Sequence, residues 1–237
     1  MPKYIFFDND NTLTRSRSPI TPHMSDLLMR LAKKYEVIVV SGGSDEKQIR
    51  PQLGESLRGK YWSMGQNGNV CIDKSGNTLW ENKMDWLQKF EVLSYVHQLF
   101  SKNLFPYKNK FDLVEDRGAQ ISYSFVGHTE HIEKKEEFDP DKTKRKAILK
   151  KFPFRSKTVE VKIGGTTCLD FFAKGGHKGK NISALCKKMK WKKKDCLYVG
   201  DALFKNGNDE SVIGVVPIKK VRDPKDTEDV IRELLSS

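Results

Sequence analysis

"YIFFDNDNTLT", residues 4–14, passes from a short apolar run straight into two carboxylates, Asp8 and Asp10, with the turn-former Asn11 and the hydroxyl of Thr12 behind them. A solvated acidic turn accounts for that pattern. So does a site in which one carboxylate attacks and the other moves protons. The flanking sequence decides the architecture first. Thr21 and Pro22 read as the N-cap and first residue of a helix, and Met24, Leu27, Leu28, Leu31 and Tyr35 recur at helical spacing. VIVV (37–40) reads as a strand buried on both faces, as in parallel sheets, and SGGS (41–44) ends it. The chain therefore opens β-α-β.

Its end returns to the same style. A helix is expected over 178–190, with Ile182, Leu185, Cys186 and Met189 on one face. Strands CLYVG (196–200) and VIGVV (212–216) follow, then a last helix near 226–235. Strands alternating with helices make a mostly parallel α/β sheet. The middle differs. A helix near 86–101 precedes AQISYSFV (119–126), where Ile121, Tyr123 and Phe125 alternate with polar residues; TVEVKI (158–163) and TTCLDFF (166–172) are also strand-like. Such alternation marks an antiparallel sheet with one wetter face. The expected organisation is a discontinuous Rossmann-like core, 1–83 and 174–237, interrupted by an α+β module over 84–173.

With 237 residues, 37% hydrophobic and 31% charged, the chain can bury a substantial core. No apolar run approaches the ~20 residues of a membrane span, and the first residues do not read as a signal peptide. Cys71, Cys168, Cys186 and Cys196 show no CxxC spacing. A cytoplasmic protein with reduced thiols is expected. The net charge of +12 is local: 142–157 holds eight basic residues and 174–194 nine, neither with an acid, and the remainder is net acidic. These stretches can attract nucleic acid or steer an anionic substrate. No RNA-binding motif, zinc-finger spacing or internal repeat supports the first, so solvated lysine faces are the reading adopted. The oligomeric state is not legible.

In an open parallel sheet, ligands gather beyond the carboxyl ends of the strands. Four polar clusters are expected there. Asp8 and Asp10 follow the first strand, and a period of two points both the same way. Ser41 and Gly42 follow the second, a hydroxyl and backbone N–H groups suited to phosphate oxygens. GDALFKNGND (200–209) carries Asp201, Asn208 and Asp209, and Lys178 opens a helix where an ammonium and N–H groups can meet an anion.

Together and in this order, these residues resemble the haloacid dehalogenase superfamily: DxDxT as Asp8, Asp10 and Thr12, a strand-end Ser41, Lys178, and GD…ND as Asp201, Asn208 and Asp209. The resemblance implies a capped Rossmann-like core and Mg²⁺-dependent phosphoryl transfer on a small phosphate monoester. It makes Asp8 the nucleophile that forms an aspartyl-phosphate, Asp10 the acid–base and Lys178 a neutraliser of phosphate charge. It places Mg²⁺ on Asp8, the Asp10 carbonyl and Asp201, with Asn208 and Asp209 completing the set. A dehalogenase has no use for the second carboxylate, because halide leaves unprotonated; Asp10 argues for phosphate. Asn9 and Asn11 replace the apolar residue and glycine common in relatives, and Asn tolerates left-handed backbone.

Within the superfamily, VVSGGSDEKQIRPQLG (39–54), NGNVCIDKSG (67–76) and EDRGAQISYSFVG (115–127) are similar to the phosphomannomutase branch, which carries a type IIB cap. That branch's own serine falls at Ser44, so Ser41 and Ser44 are both candidate phosphate contacts. Its cap holds a second sugar phosphate with arginines and sugar hydroxyls with a Ser-x-Asp pair. Arg117 matches the first arginine, His128 stands at the second, and Asp170 is kept with Cys168 in place of the serine. Histidine for a bidentate arginine weakens phosphate grip. A sugar-phosphate phosphatase is therefore expected ahead of a phosphomannomutase. A nucleic-acid-binding protein on an inactivated fold is set aside, because the catalytic set is whole.

Overall fold

The computed structural model describes residues 1–205 and 207–236; Asn206 and Ser237, both in the expected core segment 174–237, lie outside the described residues. Contacts divide the chain into two compact units, Met1–Asn82 with Gly176–Ser237, and Lys83–Gly175. In chain order, the first unit begins with β1 (Tyr4–Asp8), α1 (Pro22–Leu31), β2 (Glu36–Val40), the short α2 (Arg50–Leu53), β3 (Trp62–Gly65), β4 (Val70–Ile72) and β5 (Thr78–Glu81). The second unit holds α3 (Trp86–Phe100), β6 (Val114–Asp116), β7 (Gln120–Ser124), α4 (Ile132–Phe138), α5 (Thr143–Lys151), β8 (Val159–Gly164) and β9 (Cys168–Ala173). The first unit resumes with α6 (Lys178–Lys188), β10 (Cys196–Gly200), β11 (Ile218–Lys220) and α7 (Pro224–Ser236). Among the described residues no helix is long and apolar enough to cross a membrane.

The first unit is one sheet in the order β11–β10–β1–β2–β3–β4–β5. Its strands run parallel from β11 to β3, and β4 and β5 add an antiparallel edge. Period-2 geometry sorts the apolar runs onto both faces. Ile5, Phe7, Val37 and Val39 meet Leu27, Leu31, Val230 and Ile231 of α1 and α7. Phe6, Ile38 and Val40 meet Ile182, Leu185 and Cys186 of α6. Covered faces explain why these strands read as continuous apolar runs rather than alternating ones. α1 starts where its cap predicts: Thr21 Oγ1 accepts the Met24 N–H at 3.2 Å, and Pro22 opens the helix.

One expected strand is corrected. VIGVV forms no strand; Glu210–Val212 is a 3₁₀ turn and the edge strand lies later, at Ile218–Lys220. Gly214 takes φ +81°, and Val212 and Val215 donate backward to Asp209 and Val212 carbonyls, curling the chain. Val212 and Val216 are buried as turn side chains on the α6 side. A short apolar run reports burial, not conformation.

The second unit is an antiparallel sheet, β6–β7–β9–β8. Tyr95, Val96 and Leu99 of α3 pack with Ile121, Tyr123, Leu169 and Phe171. A reciprocal capping box, Asp85 with Gln88, starts α3. The expected wetter face is not found on β7: Ser122 and Ser124 are as buried as their apolar neighbours. Their hydroxyls bond to Asp170 Oδ1 at 2.6 Å and Thr167 Oγ1 at 3.2 Å, so protein groups replace water. The solvated reading of 142–157 also fails at Arg145, which is wholly buried on α5. It donates to Asp139 Oδ2 at 2.7 Å and to the carbonyls of Gly164, Gly165 and Cys168, locking the β8–β9 turn.

Candidate active site

Asp8 is the last residue of β1 and Asp201 the first after β10, and the parallel register of these neighbours delivers both at one edge of the sheet. Asp209 reaches back from the following loop, so that one oxygen from each of Asp8, Asp201 and Asp209 lies within 4.8 Å of the others. Gly200 makes room for this: a Cβ there would fall 2.5 Å from Asp209 Oδ2. Lys178, opening α6, donates through Nζ to Asp8 Oδ1 and Asp209 Oδ1, both at 2.6 Å. Gly179 lets that helix start approach the loop, since a Cβ would collide with the Ser211 carbonyl. The Tyr198 hydroxyl donates to Asp209 Oδ1 at 2.7 Å. Thr12 Oγ1 accepts the Asp201 N–H at 3.1 Å, tying the two strand-end loops together.

Asp8, Asp209 and Lys178 are nearly inaccessible to solvent, and three carboxylates face one ammonium. Burial, then the charge of Asp209, pushes the Asp8 carboxyl well above its usual range, with Lys178 opposing in part. Burial and Asp209 also raise Asp201. Burial works against the Lys178 ammonium, but Asp209 and Asp8 outweigh it and hold its pKa above the ordinary lysine value. Asp8 Oδ2 and Asp209 Oδ2 are buried with no hydrogen-bond partner among the described residues. Orphaned buried oxygens are costly, and two of them beside a third carboxylate are the hard-oxygen set that a divalent cation such as Mg²⁺ takes. Asp8, Asp201 and Asp209 fit the ion.

The other expected core residues lie as follows. The strand ends at Asp8, the Asn9 carbonyl accepts the N–H groups of Thr12, Leu13 and Thr14, and Asn11 adopts φ +58°. Period-2 geometry therefore stops there, and among the described residues Asp8 pairs with Lys178 whereas Asp10 has other partners. Its carboxylate accepts from the Arg17 N–H (2.9 Å), Gln48 Nε2 (2.6 Å) and Gln52 Nε2 (3.1 Å). Gln48 and Gln52 were not singled out from the sequence; their four-residue spacing was the one available signal. Asn9, fully buried, donates to Gln52 Oε1 at 2.7 Å. Ser41 is buried and its Oγ accepts the Gly43 N–H at 3.1 Å, leaving its own proton to donate. Gly42 adjoins it. Ser44 caps the turn Asp45–Ile49 by accepting the Lys47 N–H at 3.2 Å. Asn208 is exposed and immediately precedes Asp209.

Arg117, His128 and Asp170 form a second polar cluster within the second unit. Arg117 donates Nε and Nη2 to Glu115 Oε2 at 2.9 and 2.7 Å. His128 Nε2 pairs with the Ser122 carbonyl at 3.2 Å, and its Nδ1 stands 3.9 Å from Glu115 Oε2. Asp170 accepts from Ser122. Burial lowers the His128 pKa, but a hydrogen bond with Cys168 leads the opposing effects and leaves it raised. Burial raises the Cys168 thiol, but that bond, the His128 charge and the Thr167 hydroxyl together outweigh it and hold the thiol below its ordinary value.

A family profile for haloacid dehalogenase-like hydrolases matches residues 5–213, and the chain belongs to that family. It is 31% identical to phosphomannomutase 1 of Dictyostelium discoideum, over 96% of this chain and 94% of the relative. Its fold is similar to that of a haloacid dehalogenase-like hydrolase from Bacteroides thetaiotaomicron (TM-score 0.68, 14% identity, 99% and 100% of the two chains). It is also similar to an N-terminally truncated IMP-nucleotidase of Plasmodium falciparum (TM-score 0.67, 19% identity, 98% and 70%). The chain is an enzyme of phosphoryl transfer.

Proposed function

We propose that the enzyme is a Mg²⁺-dependent phosphatase of small phosphate monoesters, sugar phosphates foremost, working through phosphorylated Asp8. The observation that carries this reading is the pair of orphaned buried oxygens, Asp8 Oδ2 and Asp209 Oδ2, beside Asp201 and Lys178 at the strand ends. Asp8, Asp201 and Asp209 would hold the ion, which when bound neutralises charge on the phosphoryl oxygens. Lys178 orients the Asp8 carboxylate and offers its ammonium to the same oxygens. Asp8 attacks phosphorus as the bond to the leaving oxygen breaks. Asp10, steadied by Gln48 and Gln52, gives that oxygen a proton. It then takes one from the water that releases inorganic phosphate; acid–base help of this kind is worth ~10²–10⁴-fold. Asp10→Asn should therefore slow alkyl phosphates more than aryl phosphates with acidic leaving groups.

Phosphomannomutase is the second reading, favoured by the 31% identity to a mutase along nearly the whole chain. Against it, the Arg117 donors engage Glu115, and position 128 carries histidine. A mutase must grip a distal phosphate while its intermediate turns over, a task for arginine clamps. The deciding experiment is phosphorus NMR of hexose phosphates with Mg²⁺, with and without a hexose bisphosphate. Release of inorganic phosphate should exceed 1-to-6 migration. Rapid conversion of mannose 1-phosphate to the 6-phosphate with negligible free phosphate would make the enzyme a mutase.

A further inference from the structure

The cysteines show no paired spacing in sequence, but the fold brings two of them together. Cys186 stands near the end of α6 and Cys196 opens β10, and their Sγ atoms meet at 3.7 Å. Both residues are 1% exposed. A buried cysteine ordinarily serves as a small apolar side chain. These two hydrogen-bond to each other, and the Lys192 carbonyl lies 3.6 Å from Cys196 Sγ. Their setting is also unusual for core thiols. The nine residues between them, 187–195, hold six exposed lysines and one acid. Trp191 pins that segment beside both thiols, packing with their core cluster and stacking on Tyr4 at 4.0 Å. The bond from Cys196, helped by the charge of Lys193, holds the Cys186 thiol below its ordinary value against burial. The same bond, then burial, raises Cys196. The thiolate is the attacking species in thiol oxidation, so Cys186 is the sulfur that reacts first.

We propose that Cys186 and Cys196 form an oxidation site, at which a peroxide converts the dithiol into a disulfide that staples α6 to β10. Peroxide reaches the sulfurs when the lysine-rich segment opens, as helix ends and exposed turns do at low free-energy cost. The Cys186 thiolate attacks one peroxide oxygen as the O–O bond breaks. That oxygen stays on sulfur as a sulfenic acid, and the departing hydroxide takes the thiol's proton to become water. The Cys196 sulfur then attacks the Cys186 sulfur, the S–O bond breaks, and the Cys196 proton leaves with the oxygen as a second water. Two thiols and one peroxide give one disulfide and two waters. The S–S bond is ~2.05 Å long, so two side chains already in contact share a closure of ~1.7 Å. The staple lies away from the carboxylates: Lys178 opens α6 and Asp201 follows β10, whereas Cys186 and Cys196 stand toward the opposite ends of those elements. Oxidation therefore acts on stability, by closing the loop 187–195 in the unfolded chain. The inference does not depend on the catalytic reading.

Treatment of the full chain with hydrogen peroxide, alkylation in denaturant and mapping of the unreduced peptides test it. The expected product is a Cys186–Cys196 cross-link, two hydrogens lighter than the paired thiols and reopened by dithiothreitol. In urea, the oxidised chain should show an unfolding constant ~10–100-fold smaller than the reduced chain. Cys186→Ala and Cys196→Ala should each abolish that shift, and the wild-type map carries the test where a variant fails to fold. Thiols that both stay alkylatable overturn the site. So does pairing with Cys71, a member of the same core cluster, or oxidation to sulfinic acids without a cross-link. A cross-link that leaves the unfolding constant unchanged, or raises it, overturns the staple.

Discussion

Arg145 and Lys178 are both buried cations facing carboxylates, one in each unit, and they are satisfied to different degrees. The Arg145 guanidinium reaches the Asp139 carboxylate and four backbone carbonyls, and the same carboxylate accepts the Lys144 and Arg145 N–H groups. Donors and acceptors match. Lys178 bridges two of three clustered carboxylates and leaves Asp8 Oδ2 and Asp209 Oδ2 without partners among the described residues. The saturated cluster is complete as folded and serves structure. The unsaturated one holds an excess of negative charge that a bound cation would relieve, as expected of a site kept poised at some cost in stability.

The largest expected effect separates the two clusters by readout. Asp8→Asn should cut turnover on the order of 10⁴-fold or more. Melting of the metal-free variant should be unchanged or higher, because a buried repulsion is removed. A clear loss of stability with activity retained would break the comparison. Arg145→Ala should do the opposite, costing ~3–5 kcal/mol in urea unfolding because Asp139 is left buried and unpaired. Arg145→Met, which keeps the packing but not the charge, tests whether that loss is electrostatic.

The Arg145 pair also has a pH signature. Burial raises the Asp139 carboxyl, but Arg145 and the backbone N–H groups outweigh it and hold it below the usual range. A depressed carboxylate contributes stability that is fully present above its unfolded pKa of ~3.9 and lost as pH falls through the folded value. The difference in unfolding free energy between wild type and Asp139→Asn should therefore be constant above about pH 5 and shrink below about pH 4. A difference that persists undiminished to low pH would remove the charge from the explanation.

Mg²⁺ sharpens the contrast with a smaller effect. Saturating ion should stabilise the wild type by ~1–3 kcal/mol through mass action. The shift should vanish in Asp201→Asn and survive in Asp139→Asn. Equal shifts in both variants would place the ion elsewhere. The smallest change expected is in product ratio: His128→Arg should move the balance of phosphate release and migration a few-fold toward migration, on the scale of one added charge-assisted hydrogen bond. No movement would detach position 128 from substrate.

Much of the site could be read because its residues are placed by short-range pattern. Asp8 and Asp201 stand where apolar runs end, and Lys178 stands where a helix begins; burial and capping mark such points within a few residues. The α1 cap and the α/β alternation were legible for the same reason. VIGVV misled because burial of a short run does not choose between strand and turn, and Gly214 decided it.

What the sequence determined by itself, then, was the β-α-β opening, the return to α6 and β10, and the carboxylates and lysine carried to their ends, since side-chain period and caps are local properties. Tertiary structure alone decided which donor meets which acceptor. Gln52 reaches Asp10 across 42 residues and Lys178 reaches Asp8 across 170. Arg145, one base in a lysine-rich run, became the buried lock of the β8–β9 turn. Hydrogen bonds and ion pairs act over a few ångströms, so their partners exist only once the chain has brought distant residues together.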